Sequence, residues 1–283
     1  MVRDVFLFLG GIVATLIIES VVLRSSSWAQ RRLARTSMGR RIARMHHTRR
    51  QVVVPSERLS TTIGSITYPW VVVANGPFAN DSILSSYVPQ EPSYPDDSQK
   101  LYEEKLEELE QQKIEGVSVP HDEPGWKLLS FDPPSLRRDG DAPLKLRFCP
   151  TTRYRMLATE LQLDKPLDFD DRSTLRNRYD RGDLDLREAP SQVVANYWGV
   201  GLAVITSDRH LVFGRRSSGM AESPGMIWPA LGEGGNRTLD RDSNGAPDHL
   251  AIARRGALEE LGINIHDEQV TWLSLGASSR EWS

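Results

Sequence analysis

Residues 250 to 263 read Leu-Ala-Ile-Ala-Arg-Arg-Gly-Ala-Leu-Glu-Glu-Leu-Gly-Ile, and this stretch decides the fold prediction for the C-terminal part of the chain. Side chains three or four residues apart share one face of an α-helix. The spacing therefore predicts a helix on which Gly256, Glu259 and Glu260 project together. Arg255 lies four residues before Glu259, within reach of its carboxylate.

The ends and the other face of this helix are predicted from the same stretch. Ala257, Leu258 and Leu261 are expected to pack inward. Gly262 is expected to end the helix as a left-handed cap, and an apolar strand is predicted to begin at Ile263 and Ile265. Without further context, the alternative is that Arg255, Glu259 and Glu260 form the solvated face of an ordinary amphipathic helix that ends in a glycine cap.

The stretch resembles the signature of the Nudix hydrolase family, Gly-x5-Glu-x7-Arg-Glu-U-x-Glu-Glu-x-Gly-U, in which U is apolar. Six residues match its second half: Arg255, Ala257, Glu259, Glu260, Gly262 and Ile263. Gly256 stands where the family has a glutamate, so one of three carboxylates is absent from this face.

The resemblance implies a function for these residues. Glu259 and Glu260 would bind Mg²⁺ or Mn²⁺, and Arg255 would orient Glu259. Mg²⁺ is a small, hard cation that binds through one or two carboxylates plus substrate phosphates. The implied reaction is metal-dependent hydrolysis of a phosphoanhydride in a nucleoside diphosphate linked to another group. Gly256 leaves open a second interpretation, a non-catalytic nucleotide sensor or assembly module.

The preceding residues are similar to the order of elements in the same family. Residues 197–206 and 210–214 are predicted to form a hairpin, which Arg215 and Arg216 follow. Residues 226–235 then read as a loop of the Trp-x-x-Pro-Gly-Gly kind. The resemblance implies phosphate or base contacts from the two arginines and backbone contacts from the loop glycines, Gly232, Gly234 and Gly235.

An insertion separates the two halves of the signature. If Gly234 is its first glycine, Asp240 stands in place of the first glutamate, and Arg255 comes seven residues later than the family spacing. The inserted Asp240-Arg-Asp-Ser-Asn-Gly-Ala-Pro-Asp248 has part of the spacing of a calcium loop. The alternative is a turn whose side chains bind their own backbone. Asp248 is a candidate for the start of the helix.

The resemblance implies an α/β fold, a Nudix-like α/β/α sandwich over residues 191–283. Residues 270–276 are predicted to form its next strand. The family needs further strands and a helix after that point, so we expect the sheet to be incomplete, or to be completed by upstream segments or by a partner such as a second copy of the chain.

The N-terminus predicts a membrane anchor over residues 1–24. Residues 5–23 contain one charge, Glu19, and approach the length that a spanning helix requires. The basic residues that follow predict, by the positive-inside rule, that the rest of the chain lies in the cytoplasm. A cleaved signal peptide is the rival interpretation, but the positive charge lies after the apolar run rather than before it.

Residues 25–50 form a basic arm. Residues 1–50 carry ten arginines and two acids, a net charge of +8, whereas the whole chain has −3, so residues 51–283 sum to −11. Next to an anchor, the arm is expected to contact an anionic lipid bilayer; nucleic-acid binding is the alternative. The acidic remainder disfavours nucleic-acid binding there, so no nucleic-acid partner is expected.

Residues 51–190 are predicted to be a middle region that contains linkers. It should include a strand within residues 66–75, a charged surface helix over residues 98–114 and a strand at residues 144–149 that leads into a helix. Cys149 is the only cysteine. It is expected to be packed rather than reactive, in agreement with a reducing compartment.

Overall fold

The computed structural model describes residues 61–63, 66–68, 70–132, 143–168, 173–180, 190–217, 225, 227–229, 231–278 and 282. The predicted anchor at residues 1–24 and the basic arm at residues 25–50 lie outside them. Among the residues described, no helix combines the length and the apolar character that a membrane span requires.

The fold is mixed α/β, with several small sheets. The described strands are β1 (Thr61–Ile63), β2 (Ile66–Tyr68), β3 (Trp70–Phe78), β4 (Ile83–Tyr87), β5 (Pro124–Asp132), β6 (Leu144–Thr152), β7 (Gly199–Leu202), β8 (Phe213–Arg215), β9 (Ile227–Pro229), β10 (Leu231–Gly234) and β11 (Trp272–Ser278). The described α-helices are α1 (Asp96–Ile114), α2 (Arg153–Thr159), α3 (Leu175–Tyr179) and α4 (His249–Leu261).

Strand β6 is the centre of a three-stranded sheet. It runs parallel to β4 and antiparallel to β5. Leu144, Leu146 and Phe148 are buried, whereas Lys145 and Arg147 between them are exposed, which is the alternation of a strand with one face on the core. The predicted strand at residues 144–149 is confirmed, and Cys149 is buried as expected.

Strand β11 pairs with a strand from far upstream. Its partner is β3, in an antiparallel register that joins Trp272 to Phe78 and Ser278 to Trp70. Both strands were predicted, within residues 270–276 and 66–75. The last strand was expected to remain unpaired, or to pair with an upstream segment or a partner. In the structure it pairs with an upstream segment, so β11 has a hydrogen-bonded neighbour within the same chain.

One hydrophobic core joins the middle region to the C-terminal region. Trp126 and Phe148 pack in the same cluster as Val200 of β7 and Ile252 of α4. Residues Pro55–Ser283 form a single compact unit. The boundary expected between residues 190 and 191 therefore runs through a shared core.

Helix α1 confirms the helix predicted at residues 98–114. Its charged face is solvated, but Leu101 and Leu109 are buried. Leu109 packs against Tyr154 and Leu157 of α2. The strand-to-helix sequence predicted after residue 147 is also confirmed, because α2 begins directly after β6, where the Thr152 side chain accepts a hydrogen bond from the Arg155 N–H.

Helix α4 has both of its predicted caps. The Asp248 carboxylate accepts a hydrogen bond from the Ala251 N–H at 3.0 Å. Gly262 has a φ of 67° and its N–H bonds back to the Leu258 carbonyl, as a left-handed cap requires. These two residues fix the helix between positions 249 and 261.

Three expectations about this helix were wrong. Gly256 does not project with the exposed Glu259 and Glu260, because it is buried on the face that meets β10. Leu258 is 51% exposed rather than packed inward, because the face that meets β7 and β10 is formed by Ile252, Ala253, Gly256 and Ala257. No strand begins at Ile263. The chain instead runs without regular structure into a 3-10 helix at Asp267–Gln269, which the His266 and Gln269 side chains cap at its start.

Of the hairpin predicted at residues 197–214, the turn is present, but the strands β7 and β8 on either side of it pair with β10 and β9 rather than with each other. The Thr206 N–H bonds the His210 carbonyl across the turn, and the Val212 N–H bonds the Val204 carbonyl. Residues 226–235 differ from the expected loop, because they contain strands β9 and β10. Strand β10 pairs with β7, and this pairing places its residues against helix α4.

Candidate acidic site on helix α4

The guanidinium of Arg255 is the centre of the site. Its Nε and Nη2 donate to the two carboxylate oxygens of Asp240 at 3.0 and 2.7 Å. Nη1 donates to Glu233 Oε1 at 2.7 Å, and Nη2 also donates to the Gly234 carbonyl at 2.7 Å. The hydrogen bonds to Asp240 raise the pKa of Arg255 above its usual range. Arg255 is therefore a fixed, permanently charged group.

Asp240, at the position of the first glutamate in the predicted signature, contacts Arg255 in its second half. Its side chain is 2% exposed and forms the two-point contact with Arg255. It also accepts a hydrogen bond from the Asn236 N–H at 2.8 Å. The insertion after Asp240 is accommodated as a surface loop, so the extra residues do not separate these two side chains in space.

The inserted loop has the geometry of a turn. Asp242 Oδ1 accepts hydrogen bonds from the N–H groups of Asn244 and Ala246 at 2.8 and 2.9 Å. Asp248 caps α4, and both oxygens of Asp240 bind Arg255. The carboxylates of this loop accept hydrogen bonds from backbone N–H groups and from an arginine, which supports the turn interpretation over the calcium loop.

Glu233 is a member of the site that the sequence analysis missed. It lies on β10, two residues after the buried Leu231 and on the same face of that strand, which packs against α4. Burial raises the pKa of Glu233, and the charges of Glu259 and Glu260 raise it further, whereas Arg255 lowers it. Only the tertiary pairing with Arg255, 22 positions away, identifies this glutamate.

The contact of Glu233 with Gly256 is equally specific. A Cβ atom added to Gly256 would lie 2.8 Å from Glu233 Cβ and 3.0 Å from Leu231 Cδ1. Such distances are too short for non-bonded carbon atoms. A side chain at position 256 and Glu233 in its present position therefore exclude one another.

The two predicted metal ligands lie at the outer edge of this network. Glu259 is 57% exposed in its side chain and touches Arg255 at 3.4 Å. Burial raises the pKa of Glu260, the nearby Arg216 lowers it and Glu259 raises it. Both carboxylates therefore remain accessible to a ligand from solvent, and Arg216 lies close enough to influence one of them.

The remaining predicted residues have different settings. Gly232 is an exposed residue of β10 that pairs with Gly201. Gly235 is buried, and a Cβ there would meet the Trp126 ring at 3.0 Å. Arg215 is exposed, and its Nη1 donates to the Gly225 carbonyl at 3.4 Å.

The acidic residues do not form a ready-made metal cage. Within the part of the chain that the structure describes, no three His, Cys, Asp or Glu side chains lie in positions to hold a metal ion together. Glu259 and Glu260 are adjacent hard oxygen donors that face solvent. A donor set of one or two carboxylates suits a cation that keeps its waters and binds phosphate oxygens, as Mg²⁺ does.

A second polar network surrounds His249, at the first turn of the same helix. Trp198 Nε1 donates to His249 Nδ1 at 3.2 Å, and Ser85 Oγ lies 2.8 Å from Nε2. Because an indole N–H can only donate, Nδ1 accepts and the imidazole proton resides on Nε2, which donates to Ser85. His249 therefore cannot deprotonate Ser85, and the pair is structural rather than nucleophilic.

A comparison of the chain with models of known protein families gave no match, and a comparison with curated protein sequences gave none either.

Proposed function

We propose that the chain is a metal-dependent hydrolase of the Nudix type, with its site on helix α4. The substrate class is a nucleoside diphosphate linked to another group, cleaved at the phosphoanhydride. The observation that carries the proposal is the Arg255 network, which joins Asp240, Glu233 and Glu259 across the two halves of the signature. The α/β fold supports the proposal, and we assign the site region to a Nudix-like sandwich.

Glu259 and Glu260 would hold Mg²⁺ or Mn²⁺. Bound there, the cation would neutralise and polarise the diphosphate oxygens of the substrate. Arg255 contacts Glu259 and limits the positions of its carboxylate, and Arg255 is itself fixed by Asp240. Arg216, which lies near Glu260, is assigned to the substrate phosphates.

We assign Glu233 the role of general base. A carboxylate with a raised pKa accepts a proton from water more readily than one with the ordinary value. Glu233 meets this condition because it is half-buried beside two further acids. Its described hydrogen bond to Arg255 engages Oε1. Some Nudix enzymes use the glutamate that corresponds to position 256 as the general base. In this assignment Glu233 has that role.

Release of nucleoside monophosphate from a panel of nucleoside diphosphate derivatives, with Mg²⁺ or Mn²⁺, tests the proposal on the full-length chain, because hydrolysis of the phosphoanhydride yields a nucleoside monophosphate and the phosphorylated second group. We expect turnover in the wild type and a loss of at least about 100-fold in Glu259→Gln, because a ligand of the metal is removed. Glu268→Gln is the matched control, since Glu268 is also exposed and follows the same helix. Equal turnover in both variants would contradict the assignment.

The role of Glu233 predicts a separate result. Glu233→Gln should lower kcat by about 10² to 10⁴ while Mn²⁺ still binds, because general-base catalysis is lost and the proposed metal ligands remain. In the wild type, the acidic limb of the kcat profile should lie above the ordinary pKa of a glutamate. A profile with the same acidic limb in Glu233→Gln and wild type would remove Glu233 from this role.

The second candidate is a nucleotide sensor without catalysis, favoured by the absence of a carboxylate at Gly256. In that case the wild type would bind a nucleoside diphosphate derivative in the presence of metal and release no nucleoside monophosphate. The same panel distinguishes the two candidates. For either function, we propose that residues 5–23 anchor the protein in a lipid bilayer and that the site faces the cytoplasm.

A further inference from the structure

The inserted loop forms one wall of a small basic cavity. The cavity has a volume of about 250 Å³, and its lining includes Arg241 from the loop, Arg237 and Thr238 from the residues just before the loop, and Tyr87 from β4. Both charged residues of the lining are arginines.

Arg237 is held in position at the cavity wall. Its N–H donates to the Pro124 carbonyl at 2.7 Å, and its Nη1 donates to the Tyr87 hydroxyl at 2.9 Å. The partner of the guanidinium is a neutral phenol, so its positive charge is not neutralised by this contact. A fixed guanidinium with further N–H donors is well suited to bind an oxyanion.

Arg241 is exposed and makes no hydrogen bond or ion pair with any residue that the structure describes. The arginine that holds the site described above, Arg255, has three carboxylate neighbours. No contact in the described structure indicates that the Arg241 side chain stabilises the fold. It lies on a cavity that already contains one fixed arginine.

The loop is rigid enough to preserve this arrangement. The Gly245 carbonyl accepts a hydrogen bond from Trp126 Nε1 at 3.1 Å. Gly245 has a φ of 84°, and a Cβ there would lie 3.0 Å from the Tyr87 ring. Asp242 holds two backbone N–H groups of the same turn. The wall is therefore preformed, which lowers the entropic cost of ordering the loop when a ligand binds.

We propose that Arg237 and Arg241 form a binding site for a phosphate group. Thr238 and Tyr87 supply hydroxyl groups beside the two guanidiniums. The volume is below the usual range for a complete small-molecule pocket and holds a phosphate with a small substituent. The ligand is therefore either free phosphate or a terminal phosphate monoester of a larger molecule.

The site is distinct from the acidic face of α4, although the two are linked through the chain. Arg241 directly follows Asp240, which binds Arg255. Phosphate binding at the arginines needs no metal and no hydrolysis.

Calorimetric titration of the full-length chain with inorganic phosphate, in the presence of a chelator, tests the proposal. We expect binding in the wild type and about tenfold weaker binding in Arg241→Gln, with nearly complete loss in Arg237→Gln/Arg241→Gln, since each variant removes a charge-assisted contact. Arg209→Gln is the matched control, because Arg209 is an exposed arginine at the hairpin turn.

Three results would overturn the site: no phosphate binding in the wild type, equal affinity in Arg241→Gln and Arg209→Gln, or equal binding of chloride and phosphate. Because Arg241 has no described partner, its variant should melt at the wild-type temperature, so lost binding cannot be attributed to unfolding. A parallel titration with a nucleoside 5′-monophosphate distinguishes the two ligand sources. Tighter binding than inorganic phosphate indicates a subsite for a larger molecule, and equal binding indicates free phosphate.

The chelator also separates this proposal from the hydrolase. Hydrolysis lost in Glu259→Gln with phosphate binding intact supports both sites independently. A wild type that binds phosphate at Arg241 but neither binds Mn²⁺ nor hydrolyses nucleotides would retain the arginine site and reject the hydrolase.

Discussion

The first turn of helix α4 and its stretch from Arg255 to Glu260 carry polar networks of opposite character. At the first turn, His249 is 9% exposed and each ring nitrogen has a partner within the chain. Six residues before the end, Arg255 binds buried Asp240 on one side and reaches exposed Glu259 on the other. The first network is closed, whereas the second presents acids to solvent. A structural cluster and a candidate site therefore differ in two ways. They differ in how many of their polar atoms have partners within the chain and in how exposed their side chains are, rather than in residue type.

The largest effect on stability should come from Arg255→Ala. Asp240 would then be a buried carboxylate without its cation, which costs about 3–5 kcal/mol in free energy of unfolding. Arg254→Ala is the matched control, because the neighbouring Arg254 forms an ion pair with Asp267 in which both side chains are about half exposed. That variant should lose about 1 kcal/mol or less. Urea unfolding that gave equal losses for both arginines would contradict the central role of Arg255.

The closed network predicts a dependence of stability on pH. Burial lowers the pKa of His249 from 6.5 to about 4. The unfolded chain therefore binds a proton on this residue at a higher pH than the folded protein does. Stability should fall as the pH falls from 6.5 to about 4, by about 3 kcal/mol from this residue.

His249→Gln isolates that contribution from the carboxylates that titrate in the same range. The unfolding free energies of wild type and variant should converge by about 3 kcal/mol between pH 6.5 and pH 4, because only the wild type has the imidazole. Parallel curves would show that His249 is not buried in its neutral form.

The smallest effect tests the Ser85 contact within the closed network. Ser85→Ala removes the acceptor of the His249 Nε2–H and should cost about 1 kcal/mol. Ser86→Ala is the control on the next residue, since Ser86 is exposed and its hydroxyl donates to the Leu146 carbonyl at 3.3 Å. A Ser86→Ala variant that lost as much stability as Ser85→Ala in thermal unfolding would show that the His249 network is not closed in this way.

The sequence was sufficient for features that depend on near neighbours. The features that follow from local spacing and turn residues are helix α4, its caps at Asp248 and Gly262, the turn at residues 206–210, the surface helix and the strand containing Cys149. The inward face of α4 was only partly correct, because Leu258 is exposed. Periodicity gives the faces of a helix, but the strand that packs against it selects which face is buried.

Features that depend on distant contacts could not be predicted. The pairing of β11 with β3 joins residues about two hundred positions apart, and the shared core crosses the expected domain boundary. No sequence pattern marked Glu233, because its place in the site depends on the missing Cβ of Gly256 and on its contact with Arg255. Asp240 was noticed as an imperfect match to the signature, yet its pairing with Arg255 across the insertion needed the structure.

The central claim is that Glu259 and Glu260 bind a divalent cation at the open end of helix α4. The most direct measurement is calorimetric titration of the full-length chain with Mn²⁺, for the wild type, Glu259→Gln and Glu268→Gln. We predict one site in the wild type and in Glu268→Gln, and an affinity at least about tenfold weaker in Glu259→Gln, with an unchanged melting temperature because Glu259 is exposed. The absence of Mn²⁺ binding in the wild type, or equal affinity in all three proteins, would contradict the claim.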